Sequence, residues 1–125
     1  MYTVTVIEGF IAQHYLTVSD PGLEGRVHSH HYEVELTLSG PELDENNYLV
    51  DIDAVEGILA EIRARYGDTL LNDQPHFEAH NPSVERFARV LWEFVSEKLD
   101  TAALETLAVT IWEDENASAV YEDSV

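Results

Sequence analysis

Apolar and polar residues alternate from the start of the chain, with Tyr2, Val4 and Val6 on one side of residues 2–7 and the tendency continuing raggedly toward Tyr15 and Val18. A period of two marks a half-buried strand, so this segment is predicted as the first strand. Turn formers crowd Ser19-Asp20-Pro21-Gly22-Leu23-Glu24-Gly25, and a second alternating run begins at His28. Along it His28, His30, Tyr32, Val34, Leu36 and Leu38 share one face, while Ser29, His31, Glu33, Glu35, Thr37 and Ser39 share the other. Two histidines therefore continue an apolar face, and His31 is read as a surface residue.

After a turn-rich stretch from Gly40 to Asn47 the period changes. Val55, Ile58, Leu59, Ile62 and Tyr66 recur at helical spacing, with Asp51 or Asp53 as candidate N-caps. Asn81-Pro82 offers a cap and a proline at the first helical position of a second helix, whose stripe is Val84, Phe87, Ala88, Leu91, Val95 and Leu99. Leu107, Val109, Ile111 and Glu113 share one face of a third strand, and a short fourth strand runs near Ala119–Asp123. The order ββααββ predicts an α+β fold, a four-stranded antiparallel sheet with two helices on one face. Its free edges invite pairing with another subunit. The 125 residues amount to a single domain, residues 1–125, with no internal repeat or linker.

Composition narrows the function more than the fold. No stretch approaches the roughly 18 consecutive apolar residues of a membrane span, and the first residues lack the layout of a signal peptide. A cytoplasmic location is the expectation. The absence of cysteine excludes disulfides, thiolate ligation and a cysteine nucleophile or base. Twenty-five acidic residues against six Lys and Arg give a formal charge of −19, a surface that repels nucleic acid and anionic lipid alike. This acidity suits either a salty cytoplasm or a need for solubility.

The chemistry gathers on histidines. His28 and His30, two apart on a strand, project to the same side and can meet one ion. His14, near the end of the first strand, comes within reach of them in a hairpin. Three neutral imidazoles with one position left over match a catalytic zinc site, whereas structural sites are closed by four ligands. Histidines at strand ends also serve as surface or hydrogen-bonded residues, so the spacing alone leaves both readings open.

Phe10-x-x-x-His14 followed by His28-x-His30 and Tyr32 resembles the zinc-site pattern of the 6-pyruvoyltetrahydropterin and 6-carboxytetrahydropterin synthase family. The resemblance continues in order through Tyr48-Leu49-Val50-Asp51-Ile52, Leu71-Asn72, Asn81-Pro82-Ser83-Val84-Glu85 and the segment from Glu113 to Tyr121. It implies the T-fold, whose trimers close their sheets into a barrel and stack into a homo-hexamer, a dimer of trimers. It also implies Zn2+ on His14, His28 and His30, and a small-molecule 7,8-dihydropterin whose side-chain oxygens meet the metal. Glu113 falls where the family's carboxylate hydrogen-bonds the pterin ring, and Ser83 stands for a threonine of the pocket wall.

The chain departs from that family at two places. Glu24 stands where the usual enzymes carry a cysteine that transfers protons. A carboxylate can do such work, with a reference pKa of about 4.3 against about 8.5 for a thiol. Some branches with glutamate here cleave the side chain to a 6-hydroxymethyl group, so Glu24 implies an aldolase-like lyase; a solvated or metal-capping glutamate is the alternative. Asp68 replaces the histidine that usually works with the cysteine. Either Asp68 is the second proton-transfer group, or His76 or His80 moves in, or the usual reaction is lost and a metal- and pterin-binding homologue remains. Arg26 is the best local cation for an anionic substrate such as 7,8-dihydroneopterin triphosphate.

Overall fold

A computed structural model describes residues Met1–Val125. Its elements are β1 (Tyr2–His14), β2 (His28–Gly40), α1 (Ile52–Tyr66), α2 (Val84–Lys98), β3 (Thr106–Trp112) and β4 (Ser118–Ser124). The sheet has the order β1-β2-β3-β4 and every neighbouring pair is antiparallel. Both helices lie on one face, α1 against β1 and α2 against β3 and β4. No helix is long and apolar enough to cross a membrane.

β1 runs unbroken to His14 although its alternation fades after residue 7. Ladder pairing explains this, because every residue from Tyr2 to His14 faces a partner on β2, ending with Ala12 opposite His30 and His14 opposite His28. Pairing overrides the pattern and leaves Ile7 and Ile11 on the outer face, about half exposed. Glu8 falls on the helix side and answers Arg63 of α1 at 3.2 Å.

The core lies between the helices and the inner sheet face, from Leu36, Leu38, Leu107 and Val109 to a group of aromatic rings around Phe87. Gly40 is required where the sheet passes the β3 approach, since a Cβ there would collide with the Ala103 carbonyl oxygen. Asp51 caps α1, accepting from the amides of Asp53 and Ala54.

The start of α2 corrects the expectation from Asn81-Pro82. Ser83 is the N-cap, its Oγ accepting from Arg86 N at 3.1 Å, and Pro82 precedes the helix. The Asn81 side chain is engaged elsewhere, on Thr17, so the next residue with a short hydroxyl takes the cap.

Candidate metal centre

The register builds the centre. Residues directly opposite in an antiparallel pair point to the same side, so His14 and His28 face one another at the end of the β1–β2 ladder. His30, two positions along β2, shares that side. Their rings stand 4.5 to 4.9 Å apart, and their ligand nitrogens all lie within 4.8 Å of one another. A tetrahedral ion with bonds of about 2.0–2.1 Å needs nitrogens roughly 3.3 Å apart, so an ion there would draw the rings closer together.

Two of the rings are held from behind. His14 Nδ1 lies 2.9 Å from the Pro82 carbonyl oxygen and His28 Nδ1 lies 2.7 Å from that of Arg26. A carbonyl only accepts, so each Nδ1 carries the proton and each Nε2 presents a lone pair. The Nε2 atoms of His14, His28 and His30 are buried and none makes a hydrogen bond. Two orphaned acceptors and a third unpaired ring nitrogen facing one point would be costly in a finished interior, and a divalent cation would satisfy all three. The donor set fits a metal. Burial, the dominant influence, holds His14 below the usual imidazole value of 6.5, and the Pro82 hydrogen bond only partly offsets it. The lowered value favours the neutral, ligating form.

Glu113 joins this group from β3. It stands one residue past the strand, its amide donating to the Ala117 carbonyl, in a turn where Asp114 accepts from the amides of Asn116 and Ala117. Its Oε1 is 3.1 Å from His30 Nε2 and 3.9 Å from His14 Nε2. The nearer approach lacks hydrogen-bond geometry, which is why His30 Nε2 still counts as unpaired. Beneath the histidines Tyr32 is buried, its hydroxyl 3.4 Å from His14 Nδ1, and burial followed by the Glu113 charge drives its pKa far upward. Tyr32 is a site residue that the sequence signalled by its parity with His28 and His30 and by its place after them in the family-like pattern, with no role attached.

The remaining expected residues divide. Glu24 is exposed in a single 3-10 turn, Gly22–Gly25, yet its carboxylate is near enough to push the His14 pKa upward. Arg26 borders the centre through its carbonyl while its side chain is exposed. Ser83 adjoins Pro82, and its Oγ is occupied as an acceptor by the cap, which leaves the hydroxyl proton free. Asp68 is not among the groups around the rings. Held at φ 56° with its amide donating to the Ile11 carbonyl, it lines a groove at the outer edge of β1 with Glu8 and Arg63. Of the alternatives to it, His76 lies 3.3 Å from Arg65, and His80 lines an exposed depression with Tyr15, Thr17 and Asn81.

Comparison with known proteins accords with this architecture. Residues 3–124 match the family described as 6-pyruvoyl tetrahydropterin synthase. A 6-carboxy-5,6,7,8-tetrahydropterin synthase of Bacillus subtilis (strain 168) is 32% identical over 94 residues, which cover 72% of this chain and 62% of that protein. A putative 6-carboxy-5,6,7,8-tetrahydropterin synthase of Archaeoglobus fulgidus is 38% identical over 50 residues, 40% of this chain and 43% of that one. The chain thus spans less than two thirds of the length of these relatives. Among solved structures, a Caenorhabditis elegans 6-pyruvoyl tetrahydropterin synthase superposes with a TM-score of 0.84 at 19% identity, covering 98% of this chain and 96% of that one. A Plasmodium falciparum 6-pyruvoyl tetrahydropterin synthase does so with 0.84 at 13% identity, covering 99% and 98%. At such identities the likeness establishes the fold, the T-fold. With a family match that runs through all four strands and both helices, the chain belongs to the 6-pyruvoyl tetrahydropterin synthase family.

Proposed function

We propose that this chain is a zinc-dependent lyase or synthase acting on the side chain of a 7,8-dihydropterin, either dihydroneopterin triphosphate or a related compound. The observation that carries the reading is the set of three buried, unpaired Nε2 atoms whose rings converge. His14, His28 and His30 would hold the ion, and two of them are already fixed in the ligating tautomer by carbonyls. A zinc ion there would polarise substrate oxygens and acidify a neighbouring C–H.

The chain's own residues supply the rest. Glu113, beside the rings and a quarter exposed, orients the N–H-rich edge of the pterin as a charged acceptor. Ser83 offers its free hydroxyl proton at the pocket wall. Arg26, whose carbonyl holds His28 Nδ1, is the candidate partner for an anionic tail. Glu24 exchanges protons with the substrate side chain, an assignment supported by its electrostatic reach to His14. A glutamate also takes a catalytic part in one solved structure of the same fold, a Plasmodium vivax 6-pyruvoyltetrahydropterin synthase whose catalytic glutamate is replaced by alanine. Asp68, which packs beside the outer edge of β1, would serve as a second proton-transfer group only in an assembly that brings it to a neighbouring centre.

Such an assembly is part of the proposal. β1 and β4 are both edge strands, and pairing them between copies of this single domain, residues 1–125, would close the sheets of a trimer into a barrel, two of which would stack into a hexamer.

Incubating the zinc-loaded chain with dihydroneopterin triphosphate and with its dephosphorylated form, followed by mass spectrometry, tests the reading. A 6-hydroxymethyl product, lost in Glu24→Ala, would identify the aldolase-like reaction, and a 6-carboxy or 6-pyruvoyl product the usual ones. Substrate that binds but returns unchanged would instead establish a metal- and pterin-binding homologue without turnover.

A further inference from the structure

The three residues that follow His14 belong to no helix or strand, yet each of their amides is held by a different part of the chain. Tyr15 N donates to Asn72 Oδ1 at 3.0 Å, Leu16 N to the Glu24 carbonyl at 2.8 Å, and Thr17 N to Asn81 Oδ1 at 2.9 Å. Asn72 closes the first contact from both sides, its Nδ2 donating to the Tyr15 carbonyl at 3.0 Å. Its amide thus pairs with residue 15 as a neighbouring strand would. These two backbone partners also fix which end of the amide is oxygen. Asn81 only accepts, from Thr17 N and from Thr17 Oγ1 at 3.3 Å.

The segment is a junction between the parts of the centre. It leaves β1 directly after His14, it carries the turn that bears Glu24 through Leu16, and it meets Asn81, the neighbour of the Pro82 whose carbonyl fixes His14 Nδ1. β1 pairing with β2 ends at His14, so these contacts, with the Pro82 carbonyl on the His14 ring, help to determine how the last strand residue is aimed.

We infer that Asn72 and Asn81 are positioning residues for the metal centre, clamping residues 15–17 so that His14 Nε2 and the Glu24 turn are preset before an ion arrives. The inference rests on the proposed metal centre but concerns residues outside its ligand set. The two asparagines differ in what they must supply. Asn81 needs only an acceptor, so Asn81→Asp preserves its function while Asn81→Ala abolishes it. Asn72 needs an acceptor and a donor, so Asn72→Asp fails as Asn72→Ala does, because it sets a carboxylate against the Tyr15 carbonyl oxygen.

Zinc affinity measured by chelator competition, the visible spectrum of the cobalt-substituted protein, and hydrogen exchange of amides 15–17 in metal-free protein test the clamp together. Asn81→Ala, Asn72→Ala and Asn72→Asp are expected to weaken zinc binding by about ten- to a hundred-fold, the usual effect of losing a group that orients a ligand. They should also alter the cobalt spectrum and speed exchange at residues 15–17. Asn81→Asp should stay within about threefold of the unsubstituted chain. Folded variants that bind zinc as tightly as the unsubstituted chain, with its cobalt spectrum, would overturn the inference, as would equal losses in Asn81→Asp and Asn81→Ala. If Asn72 variants do not fold, the Asn81 pair decides, since that side chain makes only surface hydrogen bonds. Failure of the unsubstituted chain to bind zinc would instead refute the metal centre itself.

Discussion

Glu113 Oε1 stands 3.1 Å from His30 Nε2 without the geometry of a hydrogen bond, so the carboxylate adjoins the candidate ligands yet leaves their Nε2 atoms unpaired. A group so placed can bind the ion or orient the substrate, and Glu113→Gln separates the two. It keeps the shape and removes the charge. If Glu113 holds the pterin ring, the variant keeps zinc affinity within about tenfold. It loses dihydropterin affinity by about ten- to a hundred-fold, the worth of a hydrogen bond to a charged group. Calorimetric titration with each ligand measures both. Loss of zinc binding itself would make Glu113 a ligand.

His14 gives the metal-free chain a pH dependence whose sign follows from burial. Its folded pKa is below the unfolded value of 6.5, so between the two the unfolded chain holds more protons. The stability it contributes is complete above pH 6.5 and is lost as pH falls through the folded value. Denaturant midpoints of the metal-free protein should therefore drop on acidification below pH 6.5. His14→Gln should drop less over that interval. Zinc at a saturating concentration should raise the midpoint of the unsubstituted chain, with the largest gain above pH 6.5, where protons no longer compete for the nitrogens.

Much of this was legible because strand parity is a strict rule. Placing His28, His30 and Tyr32 on one face needed only their spacing, and the hairpin that brings His14 opposite His28 followed from a turn between two alternating runs. The extent of β1 was less legible, since Ile7, Gly9 and Ile11 break the alternation and only pairing with β2 holds them extended. The α2 cap lies two residues beyond Asn81 because Asn81, Pro82 and Ser83 all carry start signals; the choice of Ser83 depends on Asn81 being drawn to Thr17, a contact 64 residues away in the chain. Asp68 was named by position in a motif alone, and within one chain it lines a groove at the β1 edge with Glu8 and Arg63.

Tyr32 and Tyr66 carry a second titration, at the alkaline end. Burial raises both above the reference value of 10.0, and the Tyr66 hydroxyl has no hydrogen-bond partner. The folded chain therefore retains these protons after the unfolded chain has released them. Their contribution to stability is complete below about pH 10 and is lost as pH rises above it. Phenolate absorbance followed beside far-ultraviolet circular dichroism should show these two tyrosines ionising only as the fold melts. Tyr66→Phe should lessen the alkaline loss and cost little at neutral pH, since it removes an unsatisfied buried hydroxyl.

Phe87 joins the core to the centre. Its ring packs edge-on against Phe10, Tyr32, Tyr66 and Phe77, with centroids 5.3 to 6.2 Å away. Phe87→Ala should cost about 3–5 kcal/mol through lost burial and the cavity left behind. That is a large share of the roughly 5–15 kcal/mol that holds a domain together. Because Tyr32 is one wall of the cavity and its hydroxyl touches His14, the variant should also bind zinc more weakly. Chemical denaturation with and without zinc measures both effects. A variant that loses stability while its folded form keeps full zinc affinity would show that the floor of the centre does not depend on this ring.

Salt should stabilise the chain. Three of the 25 acidic side chains, Glu8, Glu93 and Glu61, pair with Arg63, Arg89 and Lys98, and the cations of those pairs are 45 to 63% exposed. Each such surface pair is worth about 0–1 kcal/mol, so screening them removes little. The repulsion among the other carboxylates is spread over the whole surface and is the larger quantity at a formal charge of −19. Raising potassium chloride from about 0.1 M to about 1 M shortens the screening length from about 10 Å to about 3 Å. A gain on the order of 1 kcal/mol would lift the melting temperature by about 4 °C for a domain of this size. A melting temperature that is flat or falls across that range would mean that attractive pairs, and not net repulsion, dominate the electrostatics of the fold.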